Sequence, residues 1–404
     1  MGDLLSAPPL RGTRVVEIGN YMAGPFCGMQ LADLGADVVK VENPDGGDVT
    51  RQLAPFQDGE SGSFVRLNRG KRSIALDLKR ADGARVFREL ARRADVIVEN
   101  LRPGTMDDLG LSPSSLLADN PRLVYAAVSG WGQSGPYADR PALDLIVQAA
   151  SGLMSVTGEK GGRPAKVGVS IADLSSALYA TIAVLAALAA RDRDGVGQLI
   201  DLSMYESAVS LAVWESGAFF TNGDVARANG SAHNYIAPYQ AVRSSDGHFI
   251  IGPTTPRNWT AFCYTLGLDA LLTDPRFIDG NARRRNVDEL IPIIEAVTER
   301  APMAHWLELL RGAGVPCGEI QDYARVFSDP QLEHRGFFAK IEHTTLGALR
   351  ALGSPLRLVR TPPEIERAGP LLGEHSAAIL GELGRTAEEI RQLMADGTVR
   401  APAR

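Results

Sequence analysis

The stretch VVEIGNYMAGPFCGMQLADLGADVVKVENPDGGD, residues 15–48, decides the fold. With the preceding Arg14 it carries an apolar run at residues 14–18, a segment of helical periodicity at residues 26–34 and a second apolar run at residues 37–41. Two short apolar runs joined by a helix predict parallel strands with a crossover between them. The alternation continues with strands at residues 73–78, 96–98 and 123–129 and helices at residues 82–93 and 113–119. The sequence therefore predicts an α/β protein whose parallel sheet is covered by helices on both faces.

Four loops lie just beyond the carboxyl ends of predicted strands. They cover residues 19–25, 42–48, 100–104 and 130–137. Ligands of parallel sheets bind beyond the carboxyl ends of the strands, so these loops are expected to converge on one crevice. The first loop lacks the G-x-G-x-x-G spacing of a dinucleotide-binding fold, and Pro25 is better explained as the first residue of a helix. A nicotinamide dehydrogenase is therefore disfavoured.

The pattern changes twice along the chain, which predicts two domains. A helix predicted at residues 204–220 leads into a polar stretch rich in Gly and Asn. A hairpin and three helices then form a smaller α+β unit, and a Pro-rich return segment follows it. The sequence predicts a large domain at residues 1–220, a small domain at residues 221–320 and a return to the large domain at residues 321–404.

Composition excludes several classes of partner. The net charge is -6, and no block of Lys and Arg is longer than residues 283–285, so neither nucleic acid nor an anionic membrane surface is a predicted partner. The longest apolar run, residues 177–190, is shorter than the ~20 residues a bilayer requires, and no membrane or secretion segment is predicted. We therefore expect a cytoplasmic protein. Three scattered cysteines and six histidines without ligand spacing give no predicted metal site.

Asp173 stands at the start of the longest predicted apolar helix, residues 174–190. A carboxylate there is favoured by the helix dipole, which predicts that Asp173 is ionised at neutral pH and available as a nucleophile. Aspartate is also among the best N-cap residues, so this segment alone is better explained by a structural cap.

A basic run lies beside a predicted strand. Residues 68–72 read Asn-Arg-Gly-Lys-Arg, which is suited to holding phosphate groups. Taken alone, such a run is more often a solvated loop.

These segments together resemble the family III coenzyme A transferases, the group of formyl-CoA transferase and carnitine CoA-transferase. The opening stretch is followed in order by LNRGKRSIALDLK (residues 67–79), VIVENLRPGTMDDLGL (96–111), VSGWGQSGPYADRPALDLIVQAASGLMSVTG (128–158) and GVSIADLSSALYA (168–180). The resemblance implies a Rossmann-like large domain built from the N- and C-terminal segments, a smaller α+β middle domain and an interlocked homodimer. It implies acyl-CoA and a carboxylic acid as substrates, with no permanently bound cofactor.

The resemblance also assigns residue roles. Asp173 matches the aspartate that attacks the acyl-CoA thioester, and Asp144 matches an acidic residue kept near the acyl group. Positions that match coenzyme A contacts are Met22, Ala23, Asn43, Leu67, Asn68, Lys71, Arg72, Asn100 and Leu101. Two positions depart from the formyl-CoA transferase pattern. Met22 replaces a glutamine that helps to position the acyl carbonyl, and Asp108 replaces an arginine, which puts one phosphate contact in doubt.

The acceptor acid and a rival reaction leave alternatives open. Arg102 and the cluster at residues 283–285 are candidates to hold the second carboxylate of a dicarboxylic acid, with a solvated surface as the other interpretation. Gly230 and His233 mark a segment expected to close over the site. α-Methylacyl-CoA racemases are the alternative, but they need paired bases, and Leu143 stands at their histidine position.

Overall fold

A computed structural model describes residues 6–402 of the chain, which fold into two compact units. Unit 1 comprises three segments: the chain up to Ser151, Val167–Ala212, and the chain from Pro330 onward. Unit 2 takes Gly152–Lys166 and Val213–Asp329. N- and C-terminal segments thus share one unit.

The strands are β1 (Arg14–Ile18), β2 (Asp37–Glu42), β3 (Phe56–Gln57), β4 (Glu60–Ser61), β5 (Arg72–Leu76), β6 (Val96–Glu99), β7 (Val124–Ser129), β8 (Leu199–Ser203), β9 (Gln240–Ser244), β10 (Gly247–Ile251), β11 (Cys317–Glu319), β12 (Phe338–His343), β13 (Gly347–Leu352) and β14 (Val399–Arg400). The α-helices are α1 (Ala23–Asp33), α2 (Gly62–Leu67), α3 (Ala81–Arg93), α4 (Thr105–Asp108), α5 (Pro113–Asp119), α6 (Asp144–Ala150), α7 (Leu153–Val156), α8 (Ile171–Asp194), α9 (Met204–Val209), α10 (Val213–Asn222), α11 (Pro256–Leu266), α12 (Gly280–Arg285), α13 (Val287–Thr298), α14 (Met303–Gly312), α15 (Tyr323–Val326), α16 (Pro330–His334), α17 (Ser376–Glu382) and α18 (Ala387–Ala395). Short 3₁₀ helices cover Val49–Gln52 and Asp269–Leu272.

Unit 1 is built on a seven-stranded sheet in the order β14-β5-β2-β1-β6-β7-β8. Its pairs are parallel except for β14, which runs antiparallel to β5 at the edge. Successive residues of a strand point to opposite faces, so Val15 and Val98 pack under α1 and α8 while Val16 and Ile97 pack under α3 and α17. The predicted mixed α/β fold with a mostly parallel sheet is confirmed.

Unit 2 contains a three-stranded sheet in the order β11-β10-β9. The β9–β10 pair is the predicted hairpin, and its register joins Gly247 to Ser244. The buried rings of Phe249, Phe262 and Trp306 connect this sheet to α11 and α14.

The helix predicted at residues 204–220 is interrupted. α9 ends at Val209 and α10 starts at Val213. The Ser210 hydroxyl donates to the Ser207 carbonyl oxygen at 2.8 Å, a side-chain bond that competes with continuation of the helix. The boundary between the units falls at this interruption, after Ala212, whereas the sequence predicted it after residue 220.

The segment Gly152–Lys166, assigned to the large domain from sequence, joins unit 2. Backbone hydrogen bonds attach it there, from Ala228 N to Ser155 O at 3.0 Å and from Gly230 N to Gly158 O at 2.8 Å. The return to unit 1 begins at Pro330, nine residues after the position expected from sequence (330 − 321).

α8 is longer than the apolar run that the sequence suggested. It has 24 residues and a mean hydropathy of 1.8 over its most apolar window, so by length and composition alone it could cross a bilayer. Core helices of many proteins pass the same test, and half of that window is buried inside the protein.

Candidate active site

Asp173 lies in the first turn of α8. The helix begins at Ile171 with Ser170 as its N-cap, so Asp173 is the third helical residue, and the interpretation of Asp173 as the cap needs correction. Its side chain is partly buried, and among residues 6–402 no donor to its carboxylate is found. The carboxylate oxygens are therefore free to approach a substrate.

Asp173 is a weak acid for an aspartate. Burial, followed by the negative charge of Asp144, raises the pKa of Asp173 to about 7. Asp173 was predicted to be ionised at neutral pH, and with this pKa the ionisation there is partial, because loss of hydration and a neighbouring carboxylate oppose the helix dipole. A carboxylate that is about half ionised near neutral pH is also a stronger nucleophile than an ordinary aspartate.

The Asp144 carboxylate, from a neighbouring helix, accepts a hydrogen bond from a backbone amide in the first turn of α8. Asp144 is the first residue of α6, and its Oδ1 accepts a hydrogen bond from Ala172 N at 2.9 Å. Its Oδ2 accepts from Gln148 Nε2 at 2.7 Å, and Gln148 is fully buried. Gln148 Oε1 in turn accepts from Val167 N at 2.9 Å. Asp144 thus positions the first turn of α8 and keeps a negative charge near Asp173.

An Asp144→Asn variant is expected to shift the acid limb of the rate profile. Removing the charge lowers the pKa of Asp173, so the limb should move to lower pH. The asparagine oxygen still accepts from Ala172. The pH dependence of kcat/KM measures the shift, with Glu388→Gln on the exposed face of α18 as the matched loss of charge. An unmoved limb would contradict the assigned role of Asp144.

Asp173 and the first loop share one edge of the sheet. Helices that follow parallel strands run antiparallel to them, so α1 and α8 both begin at the carboxyl ends of the strands. The two helices pack against each other, with Ala23 and Cys27 in the same core as Ala177. Met22, the N-cap of α1, therefore lies at the same edge as Asp173.

A cleft of about 200 Å³ opens at this edge. Three of the four loops expected to converge contribute to its lining, with Gly19, Asn20, Glu42, Asn43, Gly47, Asp48 and Leu101. Residues 130–137 do not line it. Sequence reasoning missed the segment Leu76, Asp77, Leu78 and Lys79, which also lines the cleft. That segment ends a predicted strand, so the rule that identified the other loops applies to it equally.

Asn100 holds the first loop instead of pointing into the cleft. Its Oδ1 accepts from Asn20 N at 3.0 Å and its Nδ2 donates to Asn20 O at 2.9 Å. A Cβ at Gly19 would lie 2.0 Å from that Oδ1, so the loop needs glycine at this position. The Asn100 side chain thus supports the first loop, and the contact of Asn100 with coenzyme A stays a prediction.

The basic run is turned inward, which corrects the prediction that it holds phosphate. Arg69 pairs with Asp33 at 2.6 Å, and Arg72 pairs with Asp37 at 2.6 Å and Glu382 at 2.7 Å. The fully buried Lys71 pairs with Glu17 at 2.6 Å. Asn68 is buried with its Oδ1 accepting from Lys71, and Leu67 ends α2 outside the cleft. Each cation is satisfied by a carboxylate that is distant in sequence.

The candidates for the acceptor acid belong to different units. Arg102 is exposed in the loop after β6, next to Leu101, which lines the cleft. Arg283 belongs to unit 2 and is 3% exposed, with Nε and Nη1 donating to the carbonyl oxygens of Ala237 and Phe277 at 3.1 Å. The assignment of a substrate carboxylate to Arg283 therefore needs correction, because its donors hold the fold of unit 2.

Gly230 and His233 also belong to unit 2. Gly230 adopts a φ of 60°, and its amide donates to Gly158 O. The His233 ring stacks on Tyr239 with centroids 5.7 Å apart, and its Nδ1 accepts from Tyr235 N at 3.1 Å. The segment predicted to close over the site is thus tied down by backbone and ring contacts within unit 2.

In the described part of the chain, no group of three or more His, Cys, Asp or Glu side chains is placed to hold a metal ion.

Comparison with known proteins identifies the family of this chain. The sequence model of CoA-transferase family III matches residues 10–376. Succinate–glutarate CoA-transferase of Agrobacterium fabrum is 38% identical over 383 residues, 93% of this chain and 96% of the relative. Acetyl-CoA:oxalate CoA-transferase of Acetobacter aceti is 37% identical over 376 residues, 93% of this chain and 95% of the relative.

The fold is shared with a solved structure. A CAIB/BAIF family protein from Brucella suis superposes with a TM-score of 0.83 at 38% identity, covering 94% of this chain and all of that chain. These relatives do not favour the racemase alternative. The match over nearly the whole chain shows that the protein belongs to CoA-transferase family III and is an enzyme.

Proposed function

We propose that this enzyme transfers coenzyme A from succinyl-CoA to a second dicarboxylic acid through covalent intermediates on Asp173. The observation that carries the proposal is the Asp173 carboxylate itself, which is partly buried, lacks a hydrogen-bond donor among the described residues and has a pKa raised to about 7 by burial and by Asp144. Such a group is a competent oxygen nucleophile at neutral pH.

The first half of the reaction builds an activated enzyme. A carboxylate oxygen of Asp173 attacks the thioester carbonyl carbon, the C–S bond breaks, and coenzyme A leaves as a thiolate with the electron pair. The product is an acyl-aspartyl anhydride. The thiolate then attacks the Asp173 carbonyl carbon, which releases the donor acid as its carboxylate and leaves an aspartyl-CoA thioester. The anhydride and the aspartyl-CoA thioester are both activated acyl derivatives, so the activation of the donor thioester is retained on the enzyme.

The second half reverses these steps with the acceptor. The acceptor carboxylate attacks the aspartyl-CoA carbonyl carbon and expels the thiolate, which forms a second anhydride. The thiolate attacks the acceptor's carbonyl carbon, and the Asp173 carboxylate leaves unchanged. No proton is gained or lost overall, which fits a site whose nucleophile needs no general base.

The cleft at the carboxyl edge is assigned to part of the coenzyme A moiety. Asn43 and Leu101 were expected to contact coenzyme A, and both line it together with Lys79. Arg102 is exposed beside Leu101. This position favours a contact between Arg102 and a coenzyme A phosphate over a contact with the acceptor acid.

The choice of dicarboxylic acids comes from the relatives. Glutarate, succinate and oxalate, named for the two transferases above, each carry two carboxylates. The test is a panel of acceptors at fixed succinyl-CoA, with product acyl-CoA measured by mass. Glutarate or another dicarboxylate should give the highest kcat/KM. A preference for monocarboxylates, or exchange of an α-proton of the acyl group in deuterated water without transfer, would reject the proposal.

We also propose that the enzyme is a cytoplasmic, interlocked homodimer. Support comes from an exposed apolar face formed by Leu178, Tyr179 and Ile182 of α8 with Leu145 and Ile146 of α6. Contiguous apolar surface of this kind marks an association site. Sedimentation should give twice the chain mass of 43.2 kDa, and a monomer at micromolar concentration would contradict the dimer.

A further inference from the structure

A chain of four charged side chains runs through the interior of unit 1. Lys40 Nζ lies 2.8 Å from Glu17 Oε1 and 2.9 Å from Asp48 Oδ2. Lys71 Nζ lies 2.6 Å from Glu17 Oε2. The side chains of Glu17, Lys40 and Lys71 are fully buried, and Asp48 has no exposed side-chain area either. Buried charges are costly unless they are paired, and in this set each lysine contacts at least one carboxylate.

The four charged side chains hold the first loop, residues 19–25, at both ends. Lys40 Nζ donates to the carbonyl oxygen of Gly19 at 3.0 Å, where β1 leaves the sheet. Lys71 Nζ donates to the carbonyl oxygen of Pro25 at 2.7 Å, in the first turn of α1. Both lysines are fixed by the same carboxylate, Glu17. The start and end of the loop are therefore linked through one side chain.

Asp48, a member of the same group of four charged side chains, holds the middle of the first loop. Tyr21 N donates to Asp48 Oδ1 at 3.3 Å, and Tyr21 adopts a φ of 63°. That left-handed conformation is unfavourable for a residue with a side chain, so it persists only where neighbouring contacts impose it. Asn20, just before it, lines the cleft.

We infer that Glu17 is a positioning residue for acyl-CoA, because by holding Lys40 and Lys71 it fixes residues 19–25 between the cleft and the start of α1. The inference rests on the proposed function in placing coenzyme A at this loop. Glu17 itself touches no substrate. The space around it is shaped for its carboxylate, since a Cβ at Gly28 would lie 1.9 Å from Glu17 Oε2.

The test compares Glu17→Gln, Lys71→Met and the double variant. Each single variant should raise KM for succinyl-CoA about tenfold while leaving KM for the acceptor acid within about threefold, since a displaced loop misplaces one substrate only. Hydrogen exchange of the peptide holding residues 19–25, measured without substrate, should be faster in both. The double variant removes one charge of each sign, so its thermal stability should partly recover while KM and exchange stay altered, because Pro25 still lacks its donor.

The matched control is Asp33→Asn, which breaks the buried pair between Asp33 and Arg69 at the other end of α1. It should lower thermal stability without changing KM for succinyl-CoA or exchange in the loop. An unchanged loop and KM in Glu17→Gln would overturn the inference, as would an equal rise of KM in Asp33→Asn. Absence of transfer by the wild-type enzyme would reject the proposed function instead, and the exchange measurement would still report on the loop.

Discussion

Replacing Asp173 with asparagine is expected to lower kcat for CoA transfer by about 10⁴-fold or more, the scale on which enzymes lose activity when a covalent nucleophile is removed. An amide cannot form the anhydride, and Asp144 is held by Ala172 N and Gln148 and so cannot replace Asp173. Steady-state kinetics with succinyl-CoA measure the loss. Asp173→Ala serves as a second variant, since asparagine can revert to aspartate by deamidation.

The fold should survive this change. Asp173 caps no helix and its carboxylate accepts no hydrogen bond from the described residues, so circular dichroism and binding of free coenzyme A should match the wild type. A variant that keeps more than a tenth of the wild-type kcat would remove Asp173 from the chemistry. Loss of coenzyme A binding together with activity would show that the substitution disturbs the site more widely.

The second large effect is on pH. Transfer requires the ionised carboxylate, and the pKa of Asp173 is about 7, raised by burial and by Asp144. Below that value kcat/KM should fall about tenfold per pH unit, so the rate at pH 5 should be about one hundredth of the plateau. An ordinary aspartate would keep the rate flat down to pH 5. A flat profile between pH 5 and pH 8 would therefore contradict the assigned environment of Asp173.

The Asp173 carboxyl also makes the free energy of unfolding depend on pH, and because its pKa is raised, that free energy falls as pH rises. Between the ordinary value of 3.8 and about 7, the folded state holds the Asp173 proton while the unfolded chain releases it. The contribution of this group to the free energy of unfolding is complete below pH 3.8 and declines as pH rises to about 7, by at most about 1.4 kcal/mol per unit. Chemical denaturation of wild type and Asp173→Asn across this range isolates it, since the variant lacks the decline.

Local patterns predicted the part of the fold that depends on neighbours in sequence. The β1, α1 and β2 elements follow from short apolar runs separated by a helical segment, and the cleft follows from the rule that parallel strands end at one edge. Asp173 was identified as the candidate nucleophile from its position at the start of the longest predicted apolar helix and from the family resemblance. The raised pKa of its carboxyl was not predicted, because it arises first from burial, which local patterns do not give, and then from the charge of Asp144, 29 residues earlier in the chain (173 − 144).

Long-range pairing decided the features that sequence reasoning missed. Lys71 and Arg72 looked like phosphate ligands because their carboxylate partners, Glu17 and Asp37, stand on strands 54 and 35 residues away (71 − 17 and 72 − 37). The N-cap of α8 also shifted to Ser170, since Asp144 reaches the amide of Ala172 from another helix. Periodicity reports which face of an element is buried, but it does not identify the partner of a buried charge.

The most direct test of the covalent mechanism is mass spectrometry of the wild-type enzyme mixed with succinyl-CoA, quenched with hydroxylamine or borohydride and digested. A covalent mechanism on Asp173 predicts a modification on the peptide that contains this residue, as a hydroxamate after hydroxylamine or an alcohol after borohydride. It also predicts no modification in Asp173→Ala. An unmodified Asp173 peptide under conditions of active transfer, or a label on another carboxylate, would contradict it.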